Sequence, residues 1–536
     1  MSAEKQTDPQ RMEKIVSLCK RRGFIFQSAE IYGGLNGVWD YGPLGTELKR
    51  NLKDYWWRVM VRERDDVVGL DGSILTHRAV LKASGHEDTF SDPMSTCKHC
   101  KRLLRADQVW AQIEQSDWYD ALAELFALGQ LDTPNLLRWA ETKGRRDAPN
   151  LAVVRNFAVT LSWFSERLEN SGGGTSLTMG EFVQYLATEQ LKVTGLITPC
   201  PHCGGELTQP RPFNLMFQTQ MGASAEADSI AYLRPETAQS IFTQFKNVLD
   251  TARKKIPFGI AQIGKAFRNE INPRNYIFRS REFEQMELEY FCAPEEGMRL
   301  LDYWLEERLR FYENIGIPRA KLHVLTVPDT DRAFYSKGTY DIEYEFPFGV
   351  QELEGVAYRT DYDLTQHQNA SGKPLEYFDE ETKQKFVPHV VEPSAGVDRT
   401  LLALICEAYA EETVTDEKGK SETRTVMRFH PRMAPIKAGV FPLLKNKPEL
   451  VAKAREVHAL LKPHMTTFYD EAGAIGRRYR RQDEAGTPFG LTIDFETLGE
   501  RGDELRDTVT LRHRDSMKQE RVKVADLLSR LLPLIK

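Results

Sequence analysis

Charged and polar side chains crowd into one stretch of this 536-residue chain, between Gln262 and Glu289. Period two, the spacing of a β-strand, places on one face of a first strand the residues Gln262, Gly264, Ala266, Arg268 and Glu270. On a second strand the residues that share a face are Phe283, Gln285, Glu287 and Glu289. Such a hairpin suits a substrate with phosphate groups at one end and an ammonium group at the other. The alternative is a solvent-facing hairpin whose charges form surface ion pairs.

A second cationic element lies further along the chain, where a strand is predicted to meet a helix. The segment reads Glu392-Pro393-Ser394-Ala395-Gly396-Val397-Asp398-Arg399, and the apolar run that follows, residues 400–409, predicts a helix. An arginine therefore stands behind small residues at a strand-to-helix junction. This arrangement favours a binding site over a surface hairpin.

A third segment has the glycine spacing of a phosphate-binding P-loop. It runs from Gly259 through Gly264 to Lys265, but Ala266 follows where a Ser or Thr would have to reach magnesium. The stretch also alternates like a strand and does not lead into a helix. We therefore predict that residues 256–270 form a strand and no P-loop.

Four of the seven cysteines form two Cys-x-x-Cys pairs, Cys97 with Cys100 and Cys200 with Cys203. Seven is too few, and an odd number, for a disulfide framework in a chain of this length. Each pair has the form of a knuckle that presents two thiolates to a zinc ion. The 99 residues between the pairs exceed the usual spacing, and a long insertion between two knuckles explains them. We predict one structural zinc site, and the alternative is a pair of reduced turns without metal.

Length and composition indicate a folded protein of several domains. At about 150 residues per domain, 536 residues predict three to four domains. Apolar residues make up 41% of the chain and charged residues 28%, which excludes a largely disordered protein. The sequence shows neither a secretory signal nor a run of about 18 apolar residues, so we expect no membrane association and a cytoplasmic location.

Changes of pattern divide the chain into four segments. Residues 1–96 hold helical patterns over 11–22 and 46–63. Residues 97–205 hold the cysteine pairs and three helical patterns, at 118–128, 151–168 and 180–191. Residues 206–428 alternate like the strands of an antiparallel sheet, and 411–425 look like a linker or an exposed hairpin. Residues 429–536 alternate strands and helices as an α/β layer fold, with helices at 448–461 and 475–484.

Charge is distributed unevenly along the chain. The whole carries −6, yet residues 432–536 hold 20 Lys and Arg against 15 Asp and Glu, which leaves −11 for the remainder. A basic C-terminal module suits a polyanion, although a solvated basic surface has the same composition.

The two cationic elements resemble motifs of a known enzyme class. Phe267-Arg268-Asn269-Glu270 and Gly396-Val397-Asp398-Arg399 resemble motifs 2 and 3 of the class II aminoacyl-tRNA synthetases. The surrounding segments are similar to the glycyl-tRNA synthetase family, and they are Tyr41-Gly-Pro-Leu-Gly, Ser84-Gly85-His86, Arg105-Ala106-Asp107, Arg234-Pro235-Glu236-Thr237-Ala238-Gln239, Leu353-Glu354-Gly355, Glu392-Pro393-Ser394, Arg477-Arg-Tyr-Arg-Arg481 and Met517-Lys-Gln-Glu-Arg521. The resemblance implies an α+β fold: a catalytic core on an antiparallel sheet, a C-terminal anticodon-binding domain, and a helical, zinc-ribbon-like insertion.

The resemblance implies a ligase that activates glycine with ATP and Mg²⁺ and transfers it to tRNA(Gly). Arg268 would bridge the α-phosphate and the glycine carboxylate, Arg399 would hold the γ-phosphate, and Glu270 would complete the catalytic set. The residues expected at the ATP site are Arg268, Asn269, Glu270, Phe278, Arg279, Ser280, Arg281, Glu282, Phe283, Glu352, Leu353, Gly396, Val397, Asp398 and Arg399.

For glycine, the resemblance places the carboxylates of Glu236, Glu287 and Glu392 around the ammonium group. The full set expected at this end is Arg105, Glu236, Phe283, Glu284, Gln285, Met286, Glu287, Arg359, Glu392, Pro393, Ser394, Ala395 and Gly396. Three carboxylates select an α-amine but do not discriminate between amino acids by the size of the side chain. Exclusion of alanine must therefore come from filled space where its methyl group would lie.

For tRNA, the expected backbone contacts come from one helix of the basic module, through Arg477, Arg478, Arg480 and Arg481. For any one of these arginines, the alternative is a solvated helix face. The family also implies a homodimer built on motif 1, but His77-Arg78-Ala79 stands where motif 1 usually has proline. This departure concerns the interface and leaves the catalytic arginines untouched.

Two other functions compete with this prediction. One is a non-catalytic accessory protein that reuses the synthetase fold, in which the catalytic arginines are normally lost; Arg268 and Arg399 are both present here. The other is a class II synthetase for another amino acid, such as threonine or proline. Arg234-Pro-Glu-Thr-Ala-Gln239 with Glu392-Pro-Ser394 favours glycine.

Overall fold

The computed structural model describes residues 8–114, 200–222, 229–415 and 421–536. The helical patterns at 118–128, 151–168 and 180–191 lie outside the described residues. The chain forms two compact units: the first combines Met1–Glu87 with Met216–Lys536, and the second is Asp88–Leu215. Within the described residues, no helix is long and apolar enough to cross a membrane.

The helices of the described residues are, in chain order, α1 (Pro9–Arg22), α2 (Pro43–Trp57), α3 (Arg78–Ala83), α4 (His86–Thr89), α5 (Val109–Glu114), α6 (Ala238–Ala252), α7 (Gly297–Asn314), α8 (Tyr362–Ser371), α9 (Val397–Ala408), α10 (Pro448–Leu461), α11 (Ile475–Ala485) and α12 (Leu527–Ile535). Local signals fix their ends. Asp8 accepts a hydrogen bond from the Arg11 amide at 2.9 Å and caps α1, which ends where Gly23 adopts a left-handed φ of 75°. The helix predicted over 46–63 is α2, followed by a π-helical turn, Arg58–Arg62.

The strands of the described residues are β1 (Ile25–Gln27), β2 (Trp39–Tyr41), β3 (Val67–Gly69), β4 (Leu75–His77), β5 (Ser91–Thr96), β6 (Leu103–Arg105), β7 (Arg211–Asn214), β8 (Gln218–Gln220), β9 (Ile230–Leu233), β10 (Phe258–Phe267), β11 (Glu282–Cys292), β12 (Leu322–Thr326), β13 (Gly338–Phe346), β14 (Gly349–Thr360), β15 (Tyr377–Phe378), β16 (Lys385–Phe386), β17 (His389–Gly396), β18 (Tyr409–Thr415), β19 (Ser421–Met427), β20 (Ala438–Pro442), β21 (Thr467–Tyr469), β22 (Phe489–Ile493), β23 (Thr508–His513) and β24 (Gln519–Lys523).

Seven strands form the central sheet of the first unit, in the order β12-β13-β14-β17-β11-β10-β3. Neighbouring strands are antiparallel except for β10 and β3. β10 and β11 form the predicted hairpin, and its register sets Gln262 opposite Glu287 and Ala266 opposite Phe283. The predicted shared polar face is therefore confirmed, and the P-loop is correctly rejected because its residues belong to β10.

The opposite face of the central sheet is apolar. Met286 and Leu288 of β11 and Ala395 of β17 belong to a large buried cluster that includes Trp304 of α7 and Leu401 of α9. Alternation along the strands thus gives one face to the core and leaves the other for polar side chains. Helices α7 and α9 hold the sheet rigidly from behind, which fixes the positions of the polar residues in front.

Residues 438–523 form a second sheet, of five strands, in the order β21-β20-β22-β23-β24. Strands β21, β20 and β22 are parallel, and β23 and β24 add antiparallel strands at one edge. α10 and α12 bury Leu450, Val457 and Leu531 against this sheet. The predicted α/β layer is present, and α10 spans the residues predicted for it. The segment predicted as a linker or hairpin is the antiparallel pair β18–β19.

The second unit contains a small antiparallel sheet in the order β6-β5-β7. Cys97 follows β5 directly and bridges to Leu207, which brings the two cysteine pairs to the same end of this sheet. Folding of the unit therefore assembles four thiols that are far apart in the sequence.

Candidate active site

A cleft of about 260 Å³ opens on the polar face of the central sheet. Its lining comes from β11, β14 and β17, from the segment before α6 and from the loop between β10 and β11. The predicted residues that line it are Glu236, Arg268, Glu270, Phe278, Arg279, Ser280, Phe283, Gln285, Glu287, Glu352, Leu353, Arg359, Glu392, Ser394, Gly396, Asp398 and Arg399. The sheet register thus joins the two cationic elements in one site, which excludes the surface-hairpin alternative.

One end of the cleft is lined by the carboxyl groups of Glu236, Glu287 and Glu392. The register sets Glu287 of β11 opposite Ser394 of β17, and the Ser394 Oγ donates a hydrogen bond to Glu287 Oε1 at 2.8 Å. The hydroxyl of Thr237 donates to the other oxygen of Glu287. Neutral hydroxyl donors hold this carboxyl group in place without supplying a counter-charge.

Arg359 is the cation that the structure places beside these acids. Its guanidinium donates to both oxygens of Asp363, at 2.7 and 2.8 Å, and its Nη1 donates to Glu392 Oε2 at 2.9 Å. Two of its five N–H donors are therefore used by Asp363. The same guanidinium lies 4.1 Å from the ring centroid of Tyr335, a further cleft residue.

His86 and Gln239 hold Glu236. The Gln239 Nε2 donates to Glu236 Oε1 at 2.9 Å, and the His86 Nε2 lies 3.3 Å from Glu236 Oε2. The Ser84 hydroxyl contacts the other ring nitrogen of His86 at 2.8 Å. The Ser84-Gly85-His86 segment, known from the sequence only as a family motif, thus orients a carboxylate of the cleft.

Burial and mutual repulsion raise the pKa values of two of the three carboxyl groups. Burial, followed by the charges of Glu392 and Glu236, raises the pKa of Glu287 to about 8. Burial also raises the pKa of Glu392, although the charge of Arg359 opposes it. Burial acts in the same direction on Glu236, but His86 and Arg359 outweigh it and lower that pKa. A cation placed between these groups would favour their ionised forms.

Glu289 adds a fourth buried carboxyl group beneath the first three. Its side chain is fully buried, and neither of its carboxyl oxygens has a hydrogen-bond partner among the described residues. The oxygens of Glu287, Glu289 and Glu392 come within 4.8 Å of one another. Burial, then the charge of Glu392, raises the pKa of Glu289 well above its ordinary value. Buried polar atoms are rarely left unpaired, so this end of the cleft is suited to a ligand that donates hydrogen bonds.

Arginines and aromatic rings line the other end. The Arg268 Nε donates to the Pro235 carbonyl at 3.0 Å, and its guanidinium lies 5.4 Å from the Phe283 ring centroid. Arg399 lies 4.6 Å from the Phe278 ring centroid and forms an ion pair with Glu352 at 3.2 Å. Two guanidinium groups and two rings within one cleft suit the phosphates and the base of a nucleotide.

An acidic group beside Arg399 offers oxygen ligands to a cation. Glu343 of β13 lies directly opposite Glu352 of β14, and like charges in that arrangement repel each other. Burial, with Glu352 and Glu343 nearby, raises the pKa of Asp341 to about 6. Carboxylate oxygens are the ligands that Mg²⁺ prefers, so this donor set fits the ion that the family implies.

Strand alternation corrects part of the predicted site. Glu284 and Met286 were expected at the glycine end, but they lie on the opposite face of β11, where Glu284 pairs with Lys49 at 2.7 Å and Met286 is in the core. Pro393 and Ala395 of β17 are buried behind the cleft for the same reason, and Val397 begins α9 and is buried in the core. Of the remaining nucleotide-site residues, Glu282 pairs with Lys265, Arg281 binds the Glu270 and Asn36 carbonyls, and Asn269 does not line the cleft.

Two groups of predicted residues lie elsewhere. Arg105 belongs to the second unit, where it forms ion pairs with Asp92 at 3.0 Å and Asp107 at 2.7 Å. Of the four arginines of α11, Arg478 is 2% exposed and donates to the Gly473 and Pro442 carbonyls, so it is corrected to a structural residue. Arg481 pairs with Asp470 at 2.5 Å, whereas Arg477 is exposed.

The four predicted zinc ligands come together in the second unit. The Cys97 and Cys203 Sγ atoms are 3.6 Å apart, and those of Cys100 and Cys200 are 3.8 Å apart. All four sulfur atoms lie within 4.8 Å of one another. Four sulfur atoms at about 2.3 Å from one tetrahedral ion would be roughly 3.8 Å apart, so the spacing fits zinc and is too long for disulfides.

Several cleft residues were not assigned from the sequence. Tyr335, Gly355 and Ala357 line the cleft, and Asp341 joins the acidic group beside Arg399. Gly355 has no side chain and Ala357 has only a methyl group, so β14 leaves open space next to the carboxyl groups. Their alternation identifies a strand face, but only the pairing of β14 with β17 shows that this face belongs to the site.

Comparisons with known proteins show the family of the chain. A family profile described as the tRNA synthetase class II core domain (G, H, P, S and T) matches residues 218–409, and one described as the anticodon binding domain matches 437–533. A protein of Thermus thermophilus named glycine–tRNA ligase is 46% identical, over 96% of this chain and 97% of its own length. Proteins of the same name from Rhodopirellula baltica and Treponema denticola are each 44% identical, over 97% and 98% of this chain and 98% and 97% of theirs.

Proposed function

The chain belongs to the glycine–tRNA ligases of the class II aminoacyl-tRNA synthetases, and we propose that one end of its cleft binds glycine and the other end binds ATP. The enzyme activates glycine with ATP and joins it to tRNA(Gly). The observation that carries the residue-level proposal is the contrast between the ends of the cleft: buried acids at one end, arginines and aromatic rings at the other. We also propose four segments for the chain: a motif 1 segment (1–96), an insertion (97–205), a catalytic core (206–428) and an anticodon-binding domain (429–536).

At the acidic end, Glu236, Glu287 and Glu392 receive the ammonium group of glycine. Binding of this cation compensates the repulsion that raises the pKa of Glu287 and Glu392. Ser394 and Thr237 keep Glu287 oriented, and Arg359 keeps Glu392 oriented. The ammonium also offers hydrogen bonds to an environment that contains the unpaired carboxyl oxygens of Glu289.

At the other end, Arg268 and Arg399 bind ATP. A carboxylate oxygen of glycine attacks the α-phosphorus, the bond to the β-phosphate oxygen breaks, and pyrophosphate leaves with the bonding electrons. Arg268, between the two ends, stabilises the negative charge shared by the carboxylate and the α-phosphate. Arg399 binds the γ-phosphate. Glu352 and Asp341 would hold Mg²⁺, which neutralises phosphate charge when it is bound.

In the second step, a hydroxyl of the terminal ribose of tRNA attacks the carbonyl carbon of glycyl-adenylate, and AMP leaves. Neither step needs a covalent nucleophile from the protein, so the residues act by orientation and by electrostatic stabilisation.

Amino-acid-dependent exchange of labelled pyrophosphate into ATP tests this assignment. We expect exchange with glycine and none with alanine, serine, threonine or proline. Exchange with another amino acid would keep the class and overturn the assignment of the acidic end. Failure of the folded protein to exchange with any of them would favour the accessory-protein alternative.

We further propose that Cys97, Cys100, Cys200 and Cys203 bind a structural zinc ion. Four closely spaced thiols at the end of a small sheet support this, because four cysteine sulfur atoms are a typical donor set of structural zinc sites. Metal analysis of protein purified under reducing, chelator-free conditions should give about one zinc ion per chain. A zinc content near zero would contradict the proposal.

The enzyme is proposed to act as a cytoplasmic homodimer. Strand β4 of the motif 1 segment is the edge strand of the sheet β8-β9-β4, and Ile74, Leu75 and Met221 at this sheet are exposed apolar side chains. Sedimentation should give twice the chain mass for the wild type, and Leu75→Lys should shift it towards one chain. A wild-type monomer at assay concentration would overturn the dimer, and recovery of the activity in a membrane fraction would overturn the location.

A further inference from the structure

Three aromatic side chains form a cluster at the acidic end of the cleft, and Phe334 is its exposed member. Phe334 is 69% exposed, and its ring centroid lies 5.3 Å from that of Tyr335 and 5.2 Å from that of Tyr362. The Tyr335 and Tyr362 rings are 5.9 Å apart with an interplanar angle of 29°. We call these three residues the aromatic platform. Exposure of a large aromatic ring to water costs free energy, so the exposed Phe334 ring suggests that a ligand covers it.

The platform is attached to the site and is held in place. Tyr335 lines the cleft and stacks on Arg359, which in turn binds Glu392. Tyr362 is the first residue of α8. Backbone hydrogen bonds from Asp331 to Pro328 at 3.0 Å and from Ser336 to Ala333 at 2.9 Å fold the loop that carries Phe334. A ring held by such contacts loses little conformational entropy when a flat ligand stacks on it.

On the basis of the function proposed above, we propose that the aromatic platform binds the terminal base of tRNA during glycine transfer. The terminal ribose hydroxyl must reach the glycyl carbonyl, which lies between the acidic end and Arg268. The base is bonded to that ribose and must therefore lie within one nucleotide of the cleft. Unpaired terminal bases are commonly held by stacking on aromatic side chains.

The platform is distinct from the site proposed for the adenine of ATP. That base is expected near Phe278 and Phe283, which contact Arg399 and Arg268. The platform instead lies on the side of Arg359 and Glu392, beyond the ammonium group of glycine. Adenylate formation therefore has no use for the Phe334 ring, whereas transfer to tRNA does.

Phe334→Ala tests the platform by separating the two steps. Removal of the ring removes the surface on which the base stacks, so we expect transfer of glycine from preformed adenylate to tRNA to slow about tenfold. Glycine-dependent pyrophosphate exchange, which needs no tRNA, should change less than about twofold. Phe378→Ala removes another exposed phenylalanine, 44% exposed and located on β15, and should change neither step. Phe334→Trp should retain rapid transfer.

A tRNA whose terminal nucleotide lacks its base identifies the partner of Phe334. If the ring stacks on that base, the wild type should lose about tenfold in transfer rate with this tRNA, and Phe334→Ala should lose nothing further. Losses that multiply would overturn the proposal, since they would mean that ring and base act independently. Equal loss in exchange and transfer would also overturn it. Absence of glycine exchange in the wild type would instead reject the proposed function itself.

Discussion

Two clusters of buried charge in this enzyme have opposite composition. The acid cluster of the cleft, Glu236, Glu287, Glu289 and Glu392, has Arg359 as a neighbouring cation, and Asp363 already binds two nitrogens of that arginine. The other cluster is centred on Asp483 of α11. Arg424 donates to Asp483 at 2.8 Å, and Arg512 donates to both of its oxygens at 2.9 and 3.2 Å.

The difference lies in what each cluster lacks. Both oxygens of Asp483 are paired, and Arg424 also binds Glu412, so the cluster joins β19, β23 and α11 without any ligand. In the acid cluster the pKa of Glu287, which lines the cleft, is raised, and both oxygens of the buried Glu289 behind it are unpaired among the described residues. A complete cluster stabilises the fold, whereas an incomplete one is completed by substrate. Substitutions should therefore affect stability in the first case and activity in the second.

Asp483→Asn should give the largest effect on stability. It leaves Arg424 and Arg512 buried without their carboxylate, which costs about 3–5 kcal/mol of the free energy of unfolding. Urea unfolding followed by circular dichroism measures the loss. Asp503→Asn is the matched control, because Asp503 pairs with Arg506 on the surface and should contribute at most about 1 kcal/mol. Equal effects of the two substitutions would remove the distinction between the clusters.

Glu287→Gln should have the opposite signature. It removes one carboxylate that faces the ammonium group, so kcat/KM for glycine in pyrophosphate exchange should fall about 100- to 1000-fold. The unliganded protein should be as stable as the wild type or more so, because a neutral amide replaces a group whose pKa is raised to about 8. Glu345→Gln, at an exposed site on β13, serves as control. A large loss of stability with intact exchange would place Glu287 in the structural class.

The pH dependence gives a finer test of the incomplete cluster. The carboxyl of Glu287 binds a proton more tightly in the folded, unliganded enzyme than in the unfolded chain, so its contribution to stability is full below about pH 4.5 and is lost as pH rises to about 8. Glycine binding needs the ionised form, so kcat/KM for glycine should rise about tenfold between pH 6.5 and 8. Exchange assays and thermal unfolding across this range check both trends, and a flat profile of kcat/KM would contradict them.

The sequence was sufficient for those parts of the site that depend on local pattern. Alternation placed Gln285 and Glu287 on one face, and the cysteine spacing paired thiols that the second unit brings together. The sequence was insufficient where the pairing of distant strands decides which residues line the site. Nothing in the residues around Asp341 or Tyr335 indicates that β13 pairs with β14 and that β14 pairs with β17.

Motif resemblance also extended the site too far. It assigned neighbours of true cleft residues, such as Glu284 and Met286, although period two turns them to the other face of β11. The same error affected α11, where a run of basic residues was assigned to tRNA as a group. A helix turns 100° per residue, so adjacent arginines on it face different surroundings.

The contrast between charges that stabilise the fold and charges that bind a ligand also separates two neighbouring residues, Arg477 and Arg478. Here we expect the smallest effects. Arg477 is exposed, and if it contacts a tRNA phosphate, Arg477→Ala should weaken tRNA binding a few-fold and reduce the slope of log affinity against log salt by about one. Its stability should not change. Arg478→Ala should instead destabilise the domain, because the buried carbonyl of Pro442 and the carbonyl of Gly473 lose their donor. Filter binding over a salt series distinguishes the two, and an unchanged slope in Arg477→Ala would remove this arginine from the tRNA interface.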